Sequence, residues 1–125
     1  MFPGFINNND LPRFYRMADL YISASHVDGS SVSLMEALAC GLPCVASDIP
    51  ANLEWVTDGL NGWIFPDGDV DALAKIILNA EENRNQLNEI SLNARHTAKE
   101  KADWNKNFSK LLEAYERTIN LVKSN

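Results

Sequence analysis

Apolar and polar positions along the first half of the chain follow two periods in turn, one typical of strands and one of helices. Apolar runs bounded by turn residues predict strands at 2–6, 20–24, 43–47 and 61–66. Segments with helical apolar spacing predict helices at Leu11–Met17, 32–40 and 51–59, of which the second is closed by Gly41. Strand and helix therefore alternate up to residue 66.

From residue 69 onward the pattern is helical. A helix over 69–82 begins with acidic residues, which suit the positive end of the helix dipole, and a polar stretch follows it. A tail helix then carries an apolar stripe at helical spacing: Phe108, Leu111, Leu112, Tyr115, Ile119 and Val122. The whole pattern predicts an α/β fold, with a partial doubly wound (Rossmann-like) parallel sheet of about four strands and long C-terminal helices.

Composition narrows the class of protein. A chain of 125 residues with 46% hydrophobic residues suits one domain with a real core. The chain has a net charge of −6, whereas proteins that bind nucleic acids usually carry an excess of basic residues, so no nucleic-acid partner is predicted. The sequence shows no signal peptide and no apolar run of membrane-span length, and two cysteines form no disulfide framework. A cytoplasmic location is the expectation.

The run from Asp28 to Glu36 is the candidate site. Ser31 is the expected N-cap of the helix at 32–40, whose free N–H groups and dipole attract phosphate. Asp28 lies just outside this helix mouth. Glu36 lies inside a run that otherwise has the pattern of a buried helix, so its carboxylate needs a partner. Because carboxylates bind hydroxyl groups, a phosphate between two polyols, as in a nucleotide sugar, fits this arrangement.

Seven residues separate Asp28 and Glu36 in the run D-G-S-S-V-S-L-M-E-A-L-A-C-G-L-P. This run resembles the motif E-G-F-G-x-x-x-x-E-A-x-A-x-G-x-P of retaining GT-B-fold glycosyltransferases of family 4 (group 1). The runs at 10–25, 52–74 and 103–118 are similar to the family's segments before and after the motif. The resemblance covers nearly all of the chain.

The resemblance implies that residues 1–125 form the C-terminal donor-binding domain, with a parallel αβ core at 1–68 and a helical tail at 69–125. It implies transfer of a hexose from a UDP- or GDP-sugar to a glycan, lipid or other acceptor, with retention and without a metal or cofactor. Glu36 is expected to hold the ribose hydroxyls and Asp28 the sugar hydroxyls, as the predicted catalytic pair. The remaining predicted substrate-binding residues supply backbone N–H groups or close approach: Gly29, Ser30, Ser31 and Val32.

The chain departs from the family pattern in ways that bear on the donor. Asp28 is shorter than the family's Glu by about 1.5 Å, and Ser30 and Ser31 replace Phe and Gly. Residues 17–74 contain nine acidic residues and no Lys or Arg, while a helix mouth supplies only about half a charge. Either the cations for a diphosphate come from a missing segment, which we favour, or the chain does not bind diphosphates.

The resemblance also implies partners. The family's sheet has about six strands, so a chain with four of them exposes the edge of the strand at 20–24. We expect self-association or a missing N-terminal acceptor lobe to cover this edge, and leave open a peripheral membrane contact through that lobe. The isolated chain is expected to be inactive. The alternative function is a non-catalytic α/β interaction module that uses the open edge and the tail helix.

Structural interpretations remain open for several candidate residues. Glu36 fits a helix residue bonded to a neighbour such as Ser33, and Asp28 fits a plain Asp-Gly turn. His26 fits a solvated loop residue better than a contact to the sugar. Cys40 and Cys44 fit buried thiols better than a metal site, because no second ligand pair accompanies them. A flavodoxin-like receiver domain is a weaker alternative, because the predicted first strand carries no acidic residues.

Overall fold

A computed structural model describes residues 3–123 of the chain. In chain order the elements are α1 (Leu11–Met17), β1 (Tyr21–Ser23), α2 (Val32–Ala39), β2 (Cys44–Ser47), α3 (Pro50–Leu53), β3 (Gly62–Phe65), α4 (Val70–Glu82), α5 (Arg84–Lys101) and α6 (Trp104–Lys123). The order of helices and strands predicted from the pattern is confirmed from α1 to α4, and the tail helix is confirmed as α6.

The three strands form one parallel sheet in the order β1-β2-β3, which confirms the predicted α/β class. Cys44 in the central strand pairs with Tyr21 of β1 and with Gly62 of β3. All four residues of β2 are buried, as expected for a central parallel strand covered on both faces. Because the strands are parallel, the loops that follow them meet at one edge of the sheet.

The predicted number of strands is wrong for the described residues, which hold three rather than about four. Residues 3–7 form no strand or helix, and Phe2 lies outside the described residues. Gly4 adopts a left-handed φ of 74°, which interrupts an extended strand, and the side chain of Phe5 is 97% exposed. A short apolar run becomes a strand only where a neighbouring strand pairs with it.

The core lies between the sheet and the helices α2 and α5. Helix α2 buries Leu34, Ala37 and Leu38, and α5 contributes small residues that let the two helices approach closely. The polar stretch expected after α4 is in fact the 18-residue helix α5. Its buried positions are spaced four residues apart, and two of the three are alanines, so the apolar stripe is too narrow and small to stand out: Ile90, Ala94 and Ala98.

The predicted tail helix is confirmed as α6, which begins at Trp104 after Asp103. The Asp103 carboxylate accepts a hydrogen bond from the N–H of Asn105 at 2.9 Å, as a helix cap does. None of the residues of α6 is buried, so its apolar stripe faces solvent. None of the helices within residues 3–123 combines the length and hydropathy that a membrane crossing requires.

Candidate functional site

The N-terminus of α2 forms the predicted helix mouth. Ser31 has extended dihedral angles, and its hydroxyl oxygen accepts a hydrogen bond from the N–H of Leu34 at 3.3 Å, which confirms it as the N-cap. The N–H of Met35 donates to the carbonyl oxygen of Ser31 at 3.1 Å. Val32 and Ser33 come before Leu34, so their N–H groups have no acceptor within the helix, and both residues are exposed. The helix mouth is therefore open to solvent.

A chain of hydroxyl groups holds this helix mouth against β1. The Ser31 and Ser33 oxygens lie 3.3 Å apart, and the Ser33 oxygen lies 2.7 Å from the Tyr21 hydroxyl. Tyr21 is the first residue of β1, so these contacts join the first turn of α2 to the sheet. The Ser31 side chain is buried, while Asp28, Gly29 and the neighbouring Ser30 are exposed. The cap is thus part of the packed structure, and the loop before it projects outward.

Glu36 lies on the exposed side of α2, so the expectation that its carboxylate sits inside a buried run is wrong. The buried face of α2 is formed by Leu34, Ala37 and Leu38, and a helix turns Glu36 away from that face. Its partner is Tyr15 of α1 rather than Ser33. The Tyr15 hydroxyl donates a hydrogen bond to Glu36 Oε2 over 3.1 Å.

The surroundings of Glu36 form a small cavity between α1 and α2, with a volume of about 200 Å³. Two causes raise the pKa of Tyr15: burial is the larger, and the hydrogen bond to the Glu36 carboxylate is the next. The phenol is therefore neutral and is the donor in this hydrogen bond. The residues that line the cavity come from the loop before α1, from α1 and from α2: Asn8, Leu11, Pro12, Tyr15, Glu36, Ala39 and Cys40. The cavity is thus mainly apolar, with a carboxylate and a phenol on its wall.

Asp28 does not line this cavity and is not joined to Glu36. Within residues 3–123 its carboxylate takes part in no hydrogen bond or ion pair. A Cβ added at Gly29 meets nothing within 4 Å, so the backbone there is open to a ligand. The two carboxylates therefore lie on the same segment of chain, one fixed by a neighbour and one free in a loop.

The loops after all three strands are joined to one another at the carboxyl edge of the sheet. The Ser47 hydroxyl donates to the carbonyl oxygen of Ser25 at 2.6 Å. The His26 ring lies 2.6 Å from Asp67 Oδ1, and the N–H of Asp67 donates to Asp48 Oδ1 at 2.7 Å. His26 is exposed as expected, yet it is bonded rather than simply solvated. These contacts fix the start of the loop that carries Asp28.

Tyr15 and Asp67 are contacts of the site that were not predicted from the sequence. Tyr15 lies 21 residues before Glu36, and Asp67 lies 41 residues after His26. Neither separation follows a local period, so no pattern in the sequence connects the partners. Tyr15 and Leu11, four residues apart on α1, are both half-buried, so Tyr15 lies on the side of α1 that faces the protein.

A second cavity, of about 380 Å³, lies at the amino edge of the sheet, beside the residues that precede β1 and β2. Tyr15 and Cys40 line both this cavity and the one beside Glu36. Two arginines line it, Arg16 and Arg84, and Arg84 forms an ion pair with Asp19 at 3.5 Å. None of the residues predicted to bind the donor lines this cavity. The source of positive charge for a diphosphate therefore stays a prediction.

The two cysteines are free thiols in the described part of the chain. Cys44 is buried in β2, and burial raises the pKa of its thiol to about 12. Cys40 is half-buried at the end of α2. No group of three or more His, Cys, Asp or Glu side chains in residues 3–123 is arranged to hold a metal ion.

Comparison with known proteins places the chain among glycosyltransferases. The family described as glycosyl transferases group 1 matches residues 1–97. The amylovoran biosynthesis glycosyltransferase AmsK of Erwinia amylovora is 32% identical over 122 residues, which cover 91% of this chain and 30% of AmsK. An uncharacterized glycosyltransferase of Methanocaldococcus jannaschii is 30% identical, with 95% of this chain and 31% of that protein covered. The chain thus spans about a third of the length of these relatives.

Solved structures show the same architecture. Sucrose-phosphate synthase from Thermosynechococcus elongatus superposes with a TM-score of 0.91 at 22% identity, over 97% of this chain and 30% of that protein, which shows the fold alone. The Anabaena protein HepE in complex with UDP superposes with a TM-score of 0.76 at 27% identity, over 84% of this chain and 30% of HepE. These neighbours are GT-B glycosyltransferases with Rossmann-like domains. The chain therefore belongs to the glycosyl transferases group 1 family.

Proposed function

We propose that the chain binds a UDP- or GDP-sugar as the C-terminal donor-binding domain of a retaining glycosyltransferase. The observation that carries this proposal is the position of Glu36, whose exposed carboxylate lines a cavity little more than one helix turn from an open helix mouth. The solved complexes of HepE with UDP and with UDP-glucose support a nucleotide sugar as the ligand. The transferred group is proposed to be a hexose, and the acceptor a glycan, a lipid or another hydroxyl compound.

The proposed roles follow from the chemistry of each group. Glu36 accepts hydrogen bonds from ribose hydroxyls through the lone pairs that Tyr15 leaves free. Asp28, which has no protein partner among the described residues, accepts hydrogen bonds from hydroxyls of the donor sugar. The backbone N–H groups of Ser30, Ser31 and Val32 meet sugar or phosphate oxygens at the helix mouth. Asp28 and Glu36 therefore orient the donor for departure of the nucleotide and transfer no proton themselves.

The chemical step needs parts outside this chain. The chain covers 30% of AmsK, and residues 17–74 contain no Lys or Arg to balance a diphosphate. We propose that an acceptor lobe supplies the acceptor site and that cations outside residues 17–74 neutralise the leaving group. The 125-residue chain alone is then expected to bind the donor weakly and to turn over no UDP- or GDP-sugar. A cytoplasmic location remains part of this proposal.

Titration of the ¹⁵N-labelled chain with UDP and, separately, with GDP tests the donor site. We expect amide shifts confined to residues 28–36 and to the walls of the cavity beside Glu36. Glu36→Gln should weaken binding of the preferred nucleotide at least about tenfold, because bonds to a charged acceptor contribute about 1.5–3 kcal/mol. Glu116→Gln, an exposed position on α6, is the matched control. Shifts that avoid residues 28–36, or equal affinities for wild type and Glu36→Gln, contradict the proposal.

An interaction module is the second candidate function, favoured by two uncovered surfaces. Within the described residues β1 pairs with β2 alone, and its Ile22 side chain is 45% exposed. Helix α6 buries none of its residues. Helix α6 contains four Lys or Arg and two Glu, so its net charge is +2. Because the whole chain has a net charge of −6, the residues outside α6 carry a net charge of −8. Opposite charges favour a second copy as the partner.

Light scattering at rising protein concentration tests self-association through these surfaces. We expect the mass to approach that of a dimer, and Ile22→Lys to return it toward 13.9 kDa because a charge at a strand edge opposes pairing. A monomer at high concentration in low salt counts against a second copy as the partner of the edge.

A further inference from the structure

We propose that Tyr15 is a positioning residue for the donor site, whose hydroxyl holds the Glu36 carboxylate in the orientation that a pair of ligand hydroxyls requires. This inference rests on the proposed function, because it assigns a role to Glu36 as the ribose contact. Tyr15 acts through Glu36 and does not itself bind the donor.

The contact joins two separate elements. Tyr15 belongs to α1 and Glu36 to α2, and the Tyr15 hydroxyl lies 3.1 Å from Glu36 Oε2. The Tyr15 ring is half-buried against the core and lies near the Tyr21 ring, with 6.3 Å between centroids and an interplanar angle of 58°. A packed ring with two torsions is a stable anchor for a hydrogen-bond donor. The position of the hydroxyl is therefore set by the core rather than by solvent.

Glu36 is the flexible member of the pair. Its side chain is exposed, and ordering such a chain costs up to about 2 kcal/mol of rotamer entropy. The hydrogen bond to Tyr15 already orders the Glu36 side chain in the free protein, so less rotamer entropy is lost when a ligand binds. Removal of the Tyr15 hydroxyl should keep the Glu36 carboxylate and its charge but allow the Glu36 side chain to adopt other rotamers.

A phenol suits this role better than a cation does. A carboxylate has about four lone-pair sites, and Tyr15 occupies one of them on Oε2, which leaves Oε1 and part of Oε2 for a vicinal diol. A neutral donor also leaves the negative charge of Glu36 intact, whereas an Arg or Lys would neutralise it. Residues 17–74 offer no Lys or Arg to take its place.

A double-mutant cycle tests whether Tyr15 acts through Glu36. The dissociation constant is measured by amide shifts with UDP and with GDP, and the tighter nucleotide is used for Tyr15→Phe, Glu36→Ala and the double variant. Tyr15→Phe should weaken binding about threefold to tenfold in the wild-type background, as the loss of one hydrogen bond predicts. In the Glu36→Ala background, where no acceptor remains for the Tyr15 hydroxyl, the same change should weaken binding by less than about 1.5-fold. Tyr115→Phe on α6, where the side chain is exposed, is the matched control.

The hydrogen bond itself has a readout that needs no ligand. The Glu36→Gln variant should lower the pKa of Tyr15, because the Glu36 carboxylate is, next to burial, the main cause that raises this pKa. The ¹³C chemical shift of the Tyr15 ring, measured against pH, reports the change. An unchanged Tyr15 pKa in this variant overturns the proposed contact.

The outcomes separate the two proposals. If the wild-type chain binds a nucleotide and Tyr15→Phe binds it equally well, Tyr15 has no positioning role and the donor site stands. An equal loss in both backgrounds also overturns the positioning role, because Tyr15 then acts independently of Glu36. If the wild-type chain binds neither UDP nor GDP, the donor site and the role of Tyr15 both fall.

Discussion

Gly62→Ala should be among the most damaging single substitutions in the sheet. Gly62 begins β3 and pairs with Cys44 of β2, and an added Cβ would lie 2.2 Å from the Cys44 carbonyl oxygen and 3.0 Å from a methyl group of Val56. The φ of Gly62 is outside the left-handed region, so the requirement for glycine is one of space. The obstructing atom is backbone, which no side-chain rotation can move.

The magnitude follows from the overlap. Real Cβ atoms essentially never approach a neighbour within 3.0 Å, so β3 must move from β2 by about 0.8 Å at this position. Overpacking of this kind costs about 1–3 kcal/mol, and each strained ladder hydrogen bond adds about 1 kcal/mol. We expect a loss of about 3 kcal/mol in the free energy of unfolding. For a chain of this size, that loss lowers Tm by about 12 °C.

Urea and thermal unfolding followed by circular dichroism measure the effect. Gly29→Ala is the matched control, because its Cβ meets nothing within 4 Å and its φ is outside the left-handed region. This control should change the unfolding free energy by less than about 0.5 kcal/mol. If Gly62→Ala costs less than about 1 kcal/mol with an unchanged m-value, the close approach of β2 and β3 at Cys44 is refuted.

Two further predictions concern buried polar groups. Asn61→Ala should lower the unfolding free energy by about 3 kcal/mol, because the buried Asn61 amide makes three hydrogen bonds and its removal orphans their partners. Asn93→Ala, which removes one side-chain bond to a carbonyl, should cost less than about 1 kcal/mol in the same urea titration. Stability should fall as pH rises from 9.0 toward about 12, because the unfolded Cys44 thiol ionises near 9.0 while the folded thiol keeps its proton to about 12. Above pH 10.0 the raised pKa of Tyr15 adds to this fall. Cys44→Ala should flatten this part of the stability profile, and an unchanged slope contradicts the burial of the thiol.

Local signals predicted much of the fold. Helix α1 spans Leu11–Met17 as expected, and the end of α2 is marked by Gly41, whose φ of 74° only glycine adopts readily. Ser31 caps α2 through a contact only three residues away. Such features depend on neighbours within one turn, so sequence patterns contain them. The likeness to glycosyltransferases rested on similarly local motifs, and the match of the family to residues 1–97 confirmed it.

Other features depended on distant partners and were missed or misjudged. The run at 2–6 has the composition of a strand, but residues 3–7 have no neighbouring strand to pair with. Helix α5 buries Ala94 and Ala98 against α2, and small residues give a weak periodic signal. The contact of His26 with Asp67 crosses 41 residues and depends on the sheet that aligns their loops.

The sequence by itself determined the alternation of strand and helix, the capped helix after the Asp28 loop and the family of the chain, because each depends on short-range chemistry. The tertiary structure alone decided which side of α2 faces the core, and therefore that Glu36 is exposed and bonded to Tyr15. The run at 32–39 holds only two polar residues, Ser33 and Glu36, so its helical pattern marks the exposed face weakly. Only the packing of α2 against β2 and α5 selects the face that is buried and the one that can meet a ligand.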